Sequence, residues 1–265
     1  MPPTPHERDR VNRLVHLLAL LASNAVPVFG WFFAGWSAAT TLVVFWFETV
    51  AALVFIYTRG VLHRRWNPRR GHFRYEAPER RGPHRPFLTG FFVTSLVFCA
   101  AHGFFIGVIL LVLSQNGDAD LVGLDWGSAR AGCTQVLIVV AIDFLADLPF
   151  LRTWSFGQLE HTAHRSFGRI GVVHFALIFG MFGAAVSDAP ATMFSVFIVL
   201  KVLYSLSTAL PQWEPKTPPA WLSRAMNRAR SEPAGQRFED MWVKDRAADV
   251  QRRARNEQLW TDARR

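Results

Sequence analysis

The chain has 265 residues, 51% of them hydrophobic and 14% aromatic, with a formal net charge of +9. Its apolar residues gather into six long blocks, at 11–34, 36–62, 86–114, 130–151, 170–187 and 191–210. That excludes a soluble α/β protein, whose buried strands run to roughly 4–8 residues. The basic residues flank these blocks and form no nucleic-acid-reading motif, so nucleic acid is excluded as a partner and the anionic lipid bilayer is the expected counter-charge.

Each block is near or above the roughly 18–20 residues that cross a hydrocarbon core as a helix. Lipid requires every backbone group to be bonded within its own segment, so helix is the expected form. The first block follows Arg8, Arg10 and Arg13 and begins like a signal peptide, but it stays apolar through Val26 to Phe33, too far for a cleaved leader. Asn24, Pro27 and Gly30 are expected to kink it. Ala34-Gly35-Trp36-Ser37 leaves room only for a tight hairpin to the second block. The Arg-rich loop 63–85, with Gly71, Pro78, Gly82 and Pro83, reads as a solvated connector, and His161-x-x-His164 as another. Asp188-Ala189-Pro190 is a turn between the last two blocks. A proline-rich link, Pro211 to Pro219, then leads to a polar helical stretch in which Phe238, Met241 and Trp242 make an apolar face suited to the membrane interface. Cys99 and Cys133 fall inside spans and have no metal-site spacing.

The charges set an expected topology. Three arginines precede the first span, and Arg59 with eight more from Arg64 to Arg85 follow the second. Arg152, Arg165 and Arg169 lie between the fourth and fifth, and twelve Lys and Arg lie in the tail. Only Arg130 is on the other side, with Asp118, Asp120, Asp125 and Asp188, while Lys201 sits within a span. The positive-inside rule places both termini in the cytoplasm of a bacterial plasma membrane, as an even number of spans requires. The expected fold is all-α: a six-helix transmembrane bundle over 1–210 and a basic, partly helical cytoplasmic tail over 211–265.

Ionisable residues at membrane depth carry the functional information. Glu48, His102, Asp143 and Lys201 fall near the middle of spans two, three, four and six, and Asp147, His174 and His16 nearer the cytoplasmic side. A charge at a helix centre costs about 2.5–3.5 kcal/mol on insertion scales, so such groups face a bundle interior. Lys201 needs a partner, expected to be Glu48 or Asp143. Three carboxylates against one ammonium leave two surplus negative charges, to be offset by protonation or by a cation. The expected metal set is Glu48, His102, Asp143, Asp147 and His174, with zinc, iron or manganese as the ion. The expected catalytic set is Glu48, Asp143 and Lys201. Three functions stay open: metal-dependent hydrolysis of a lipid-like substrate, proton-coupled transport or relay, and a non-catalytic subunit docking a membrane partner through loop 63–85 and the tail. Haem held by His16 and His174, and buried pairs that only fix helix register, are the further alternatives.

Several of these residues also carry a family likeness. Asn24…Pro27…Gly30…Gly35-Trp36-Ser37, Phe45-Trp46-Phe47-Glu48, Ala101-His102-Gly103-Phe104-Phe105 and Gly168-Arg169-Ile170…His174 resemble domain of unknown function 6498, a bacterial family of multi-spanning membrane proteins. The likeness covers about residues 20–210 and maps that family's motifs onto Glu48, His102 and His174. Its relatives carry Ser-His where this chain has Ile142-Asp143, which weakens a histidine-specific role there. The resemblance implies architecture and positions, and no activity.

Overall fold

A computed structural model describes residues 5–77, 85–115, 122–168, 190–207, 215, 217–229 and 237–261. Its helices are α1 (Pro5–Phe32), α2 (Ala38–Trp66), α3 (Arg70–Phe73), α4 (Phe87–Gln115), α5 (Trp126–Asp147), α6 (whose described part is 156–168), α7 (Pro190–Ser207), α8 (Ala220–Ala229) and α9 (Phe238–Glu257). Among the described residues, four segments are long and apolar enough to cross a membrane: Leu14–Phe32, Ala38–Trp66, Phe87–Val112 and Trp126–Asp147; Phe194–Ser207 is a shorter apolar helix. The fifth expected span, 170–187, with the Asp188-Ala189 turn, lies outside the described residues.

The α1–α2 hairpin turns on Gly35, whose φ of 67° suits a residue without Cβ. Ser37 caps α2 by accepting from the Thr40 amide, and Thr40 Oγ1 in turn accepts from the Asp125 amide at the start of α5. The turn thus ties three helices at one end. At Gly132, Trp36 and Val44 lie where a side chain would stand, so α5 packs close against the hairpin. Pro27 lies within a continuous α1.

Two apolar clusters fill the interior. Leu42, Phe45, Ile106, Phe197 and Ile198 join α2, α4 and α7, while Leu53, Ile56, Phe87, Phe91, Phe156 and Leu159 join α2, α4 and α6. Phe92, Leu96, Val97, Phe104 and Leu111 are all exposed on α4. An apolar belt of that extent is matched by lipid, not by water.

The other end departs from the sequence expectation. Part of loop 63–85 is packed: Gly71 and His72 are buried under Phe156, and Glu76 meets Arg70, Arg255 and Asn256. Hydrophobic shielding and pairing with the tail outweigh the hydrophilic composition that suggested a solvated connector. His161 and His164 lie on helix α6. The tail docks back through α9: Glu257 accepts from the Phe156 amide at the start of α6, and Arg252 bonds Glu160 at 2.6 Å. Phe238, Met241 and Trp242, the stripe expected at the membrane interface, line an open cavity of about 740 Å³ with Glu76, Ala77 and Arg252.

Candidate functional site

Among the described residues, the charged side chains at membrane depth form two groups, and α2 is the spine that connects them. Glu48 and Arg59 are eleven residues apart, about three turns, and so share a face. Both are buried.

The first group surrounds Lys201. Its Nζ donates to Glu48 Oε2 at 2.8 Å and to Asn24 Oδ1 at 3.1 Å, and stands 4.0 Å from the centre of the Phe45 ring. Asn24 is oriented by its own helix, because its Nδ2 donates to the Leu20 carbonyl at 2.7 Å. A buried ammonium is thereby met by a carboxylate, an amide oxygen and a ring face. Among the expected partners, Glu48 is the one that meets it. Asn24 was read only as a kink residue, although a lone amide in an apolar run is itself a sign of a buried polar partner.

The second group lies farther toward the basic end, about 12 Å along α1 from Asn24 to His16. His16 Nδ1 is 2.6 Å from Asp143 Oδ1, and His16 Nε2 is 2.9 Å from Asp147 Oδ1. Arg59 closes the opposite side, with Nη2 2.9 Å from Asp143 Oδ2 and Nε 2.8 Å from Asp147 Oδ2. Asp143 and Asp147 are one turn apart on α5 and present both carboxylates to α1 and α2. Arg59 and Asp147 are sealed, their side chains 4% and 3% exposed, while His16 at 35% and Asp143 at 27% are partly exposed. Carboxylates only accept, so His16 Nδ1–H donates to Asp143, and an imidazolium also meets Asp147 as an ion pair, at a contact outside hydrogen-bond geometry. Two carboxylates, one guanidinium and one imidazolium then sum to zero charge.

That sum corrects the count of two surplus negative charges. The sequence counts Arg59 among the charges on the cytoplasmic side and His16 near that face, whereas both reach into the bundle and neutralise Asp143 and Asp147. Its position three turns below Glu48 was the available signal for Arg59. The expected five-residue shell is distributed differently: Asp143 and Asp147 come together with His16, and Glu48 with Lys201 and Asn24. His102 is buried on α4, and His174 lies outside the described residues. His16, Asp143 and Asp147 each offer a ligand atom within 4.8 Å of the others, the one group of three such residues among those described. A divalent ion on those atoms, with neutral His16 and Arg59 in place, would leave a net charge of plus one.

At the basic end a further polar set ties the tail down. His63 Nδ1 and His72 Nε2 are 2.8 Å apart, and His63 Nε2 meets the Trp154 carbonyl at 3.0 Å. Burial, aided by His63 and nearby Arg64 and Arg69, pulls the His72 imidazole down to about 3, so it is neutral. Burial alone would raise the Glu160 carboxyl, but hydrogen bonds from His164, Tyr75 and Arg252 outweigh it and hold it at about 2. Burial and the bond to Glu160 push the Tyr75 phenol up.

The profile of a family of unknown function matches residues 7–233. The chain belongs to that family, DUF6498. The match takes in all four candidate spans and both polar groups, so this DUF6498 chain carries its membrane-depth chemistry inside the family region, while α9 lies beyond it. No curated protein and no solved structure matches the chain.

Proposed function

We propose that this DUF6498 member is a proton-coupled transport or relay protein of a bacterial plasma membrane, with six spans, both ends in the cytoplasm, and His16 as its exchangeable proton carrier. The observation that carries this reading is the position of His16, between two carboxylates that Arg59 holds from the far side. Loss of one proton from His16 converts a neutral cluster to a net negative one within a low-dielectric bundle, which is the kind of charge change that couples to helix movement or ion uptake. His16 and Asp143 are partly exposed, whereas Asp147 and Arg59 are sealed and fix the geometry. Glu48–Lys201 supplies a second charge pair about 16 Å along α2 from Arg59.

Purified protein in liposomes with an imposed pH gradient tests this. The wild type should collapse the gradient faster than empty liposomes, and His16→Ala should slow it toward their rate. Equal rates for wild type and His16→Ala contradict the reading.

The clustering of three ligand atoms favours one second reading, a zinc, iron or manganese centre at His16, Asp143 and Asp147 acting on a lipid-like substrate. Elemental analysis separates the two: about one metal per chain, lost in Asp147→Asn, supports the metal centre.

A further inference from the structure

A helix on the surface of a water-soluble module turns its apolar side inward and its polar side out. Helix α8 does the reverse. Ser223 is 6% exposed, and Asn227, one turn on, is tied to the start of α9: its Oδ1 accepts from the Phe238 amide at 2.9 Å, and its Nδ2 donates to Glu239 at 3.2 Å. Ser223 therefore marks the buried side, and Asn227, itself exposed, ties α8 to the start of α9. At about 100° per residue, Trp221, Leu222 and Ala225 turn away from Ser223, while Met226 stands only about 60° from it; Trp221 is 64% and Met226 37% exposed. Arg224 and Arg228 border that apolar side and are exposed.

We propose that α8 is an in-plane anchor that lays Trp221, Leu222 and Met226 into an anionic phospholipid surface, with Arg224 and Arg228 on the phosphates. Three features select a lipid surface as the occupant. Tryptophan beside arginine is the composition of the bilayer interface, where the indole straddles apolar and wet zones. The basic charge continues on both sides of the helix, at Lys216 and Arg230, which complements an anionic leaflet. Finally, the described part of the apolar helix α7 runs to Ser207, and the thirteen residues from there to Ala220 tether α8 within at most about 45 Å of it. The inference rests on the membrane-spanning reading above. The stripe expected at Phe238, Met241 and Trp242 is half-buried along the open cavity, and α8 adds a second candidate face.

Full-length protein with Cys99→Ser and Cys133→Ser is spin-labelled at Met226→Cys and placed in nanodiscs of phosphatidylglycerol or of phosphatidylcholine. Collisions with oxygen, which concentrates in lipid, and with a water-soluble nickel chelate report its surroundings. In phosphatidylglycerol the label should favour oxygen. Arg224→Gln with Arg228→Gln should lower the docked-to-free ratio about thirtyfold. Should Met226→Cys fail to fold, Trp221→Cys carries the same expectation. A label that favours the nickel chelate in both lipids overturns the anchor. So does one shielded from both reagents regardless of lipid, which marks a protein partner or a second copy. A label at Leu96→Cys on α4 separates the two readings: oxygen-rich at 96 but aqueous at 226 refutes only the anchor, and aqueous at both refutes the membrane-spanning reading as well.

Discussion

Lys201→Met isolates one charge without changing the volume of the site much. In the native chain the ammonium bonds Glu48 at 2.8 Å and Asn24 at 3.1 Å and lies over the Phe45 ring, with Lys201 and Glu48 side chains 4% and 3% exposed. The methionine leaves Glu48 in the same low-dielectric place with its cation gone. Removing one partner of a buried ion pair costs about 3–5 kcal/mol, because the remaining charge is uncompensated. Adding Glu48→Gln removes that charge, and replacing both members of such a pair is often close to neutral, so the double variant should lie within about 1–2 kcal/mol of wild type. Asn24→Ala loses one hydrogen bond and should cost about 1–1.5 kcal/mol. Reversible unfolding in mixed micelles, followed by tryptophan fluorescence, reads all four proteins. A Lys201→Met cost below about 1 kcal/mol, or a double variant no better than the single, would refute a buried Lys201–Glu48 pair.

Other perturbations probe separate parts of the account. Gly132→Ala puts a methyl 2.5 Å from Trp36 Cη2 and 2.9 Å from Val44 Cγ2, and the overpacking should cost about 1–3 kcal/mol; Gly107→Ala, with nothing within 4 Å, should cost nothing in the same assay. Glu160 is depressed from 4.5 to about 2, so its contribution to tail docking is complete above pH 4.5 and is lost as pH falls toward 2; hydrogen exchange at Phe156 and Gly157 should accelerate over that window, and Arg252→Ala should remove most of the dependence. Reporter fusions after Gln115 and after Pro211 should read periplasmic and cytoplasmic respectively; a periplasmic tag at Pro211 contradicts six spans with both ends inside.

The long apolar runs made helix and four of the candidate spans legible, because length and hydropathy are local properties. Helix ends were less so. The fourth span was expected over 130–151, but α5 starts at Trp126 under the Asp125 cap and stops at Asp147, since cap chemistry rather than hydropathy decides where a helix ends. The need of Lys201 for a carboxylate was also legible, as depth alone demands it. What sequence could not give was the partition of the polar residues into two groups. Residues on four helices have no fixed relation until the helices pack, and Arg59, near the end of the second apolar block, reads as a cytoplasmic-side charge until it is seen to meet Asp143 and Asp147. The docking of α9 on Glu76 and Glu160 was invisible for the same reason: those partners are 92 to 180 residues apart in the chain.

The central claim is that His16 holds an exchangeable proton between Asp143 and Asp147 in a cluster that Arg59 neutralises. Nitrogen NMR of labelled histidine in nanodiscs, with His16→Gln to assign the signal, observes that proton directly. The account predicts that both ring nitrogens of His16 report N–H at the acid end of the titration, that one loses its proton in a single step, and that Asp147→Asn shifts the midpoint of that step. A His16 signal that never titrates while the protein stays folded, or one that reports a ring nitrogen bound to metal, would contradict it.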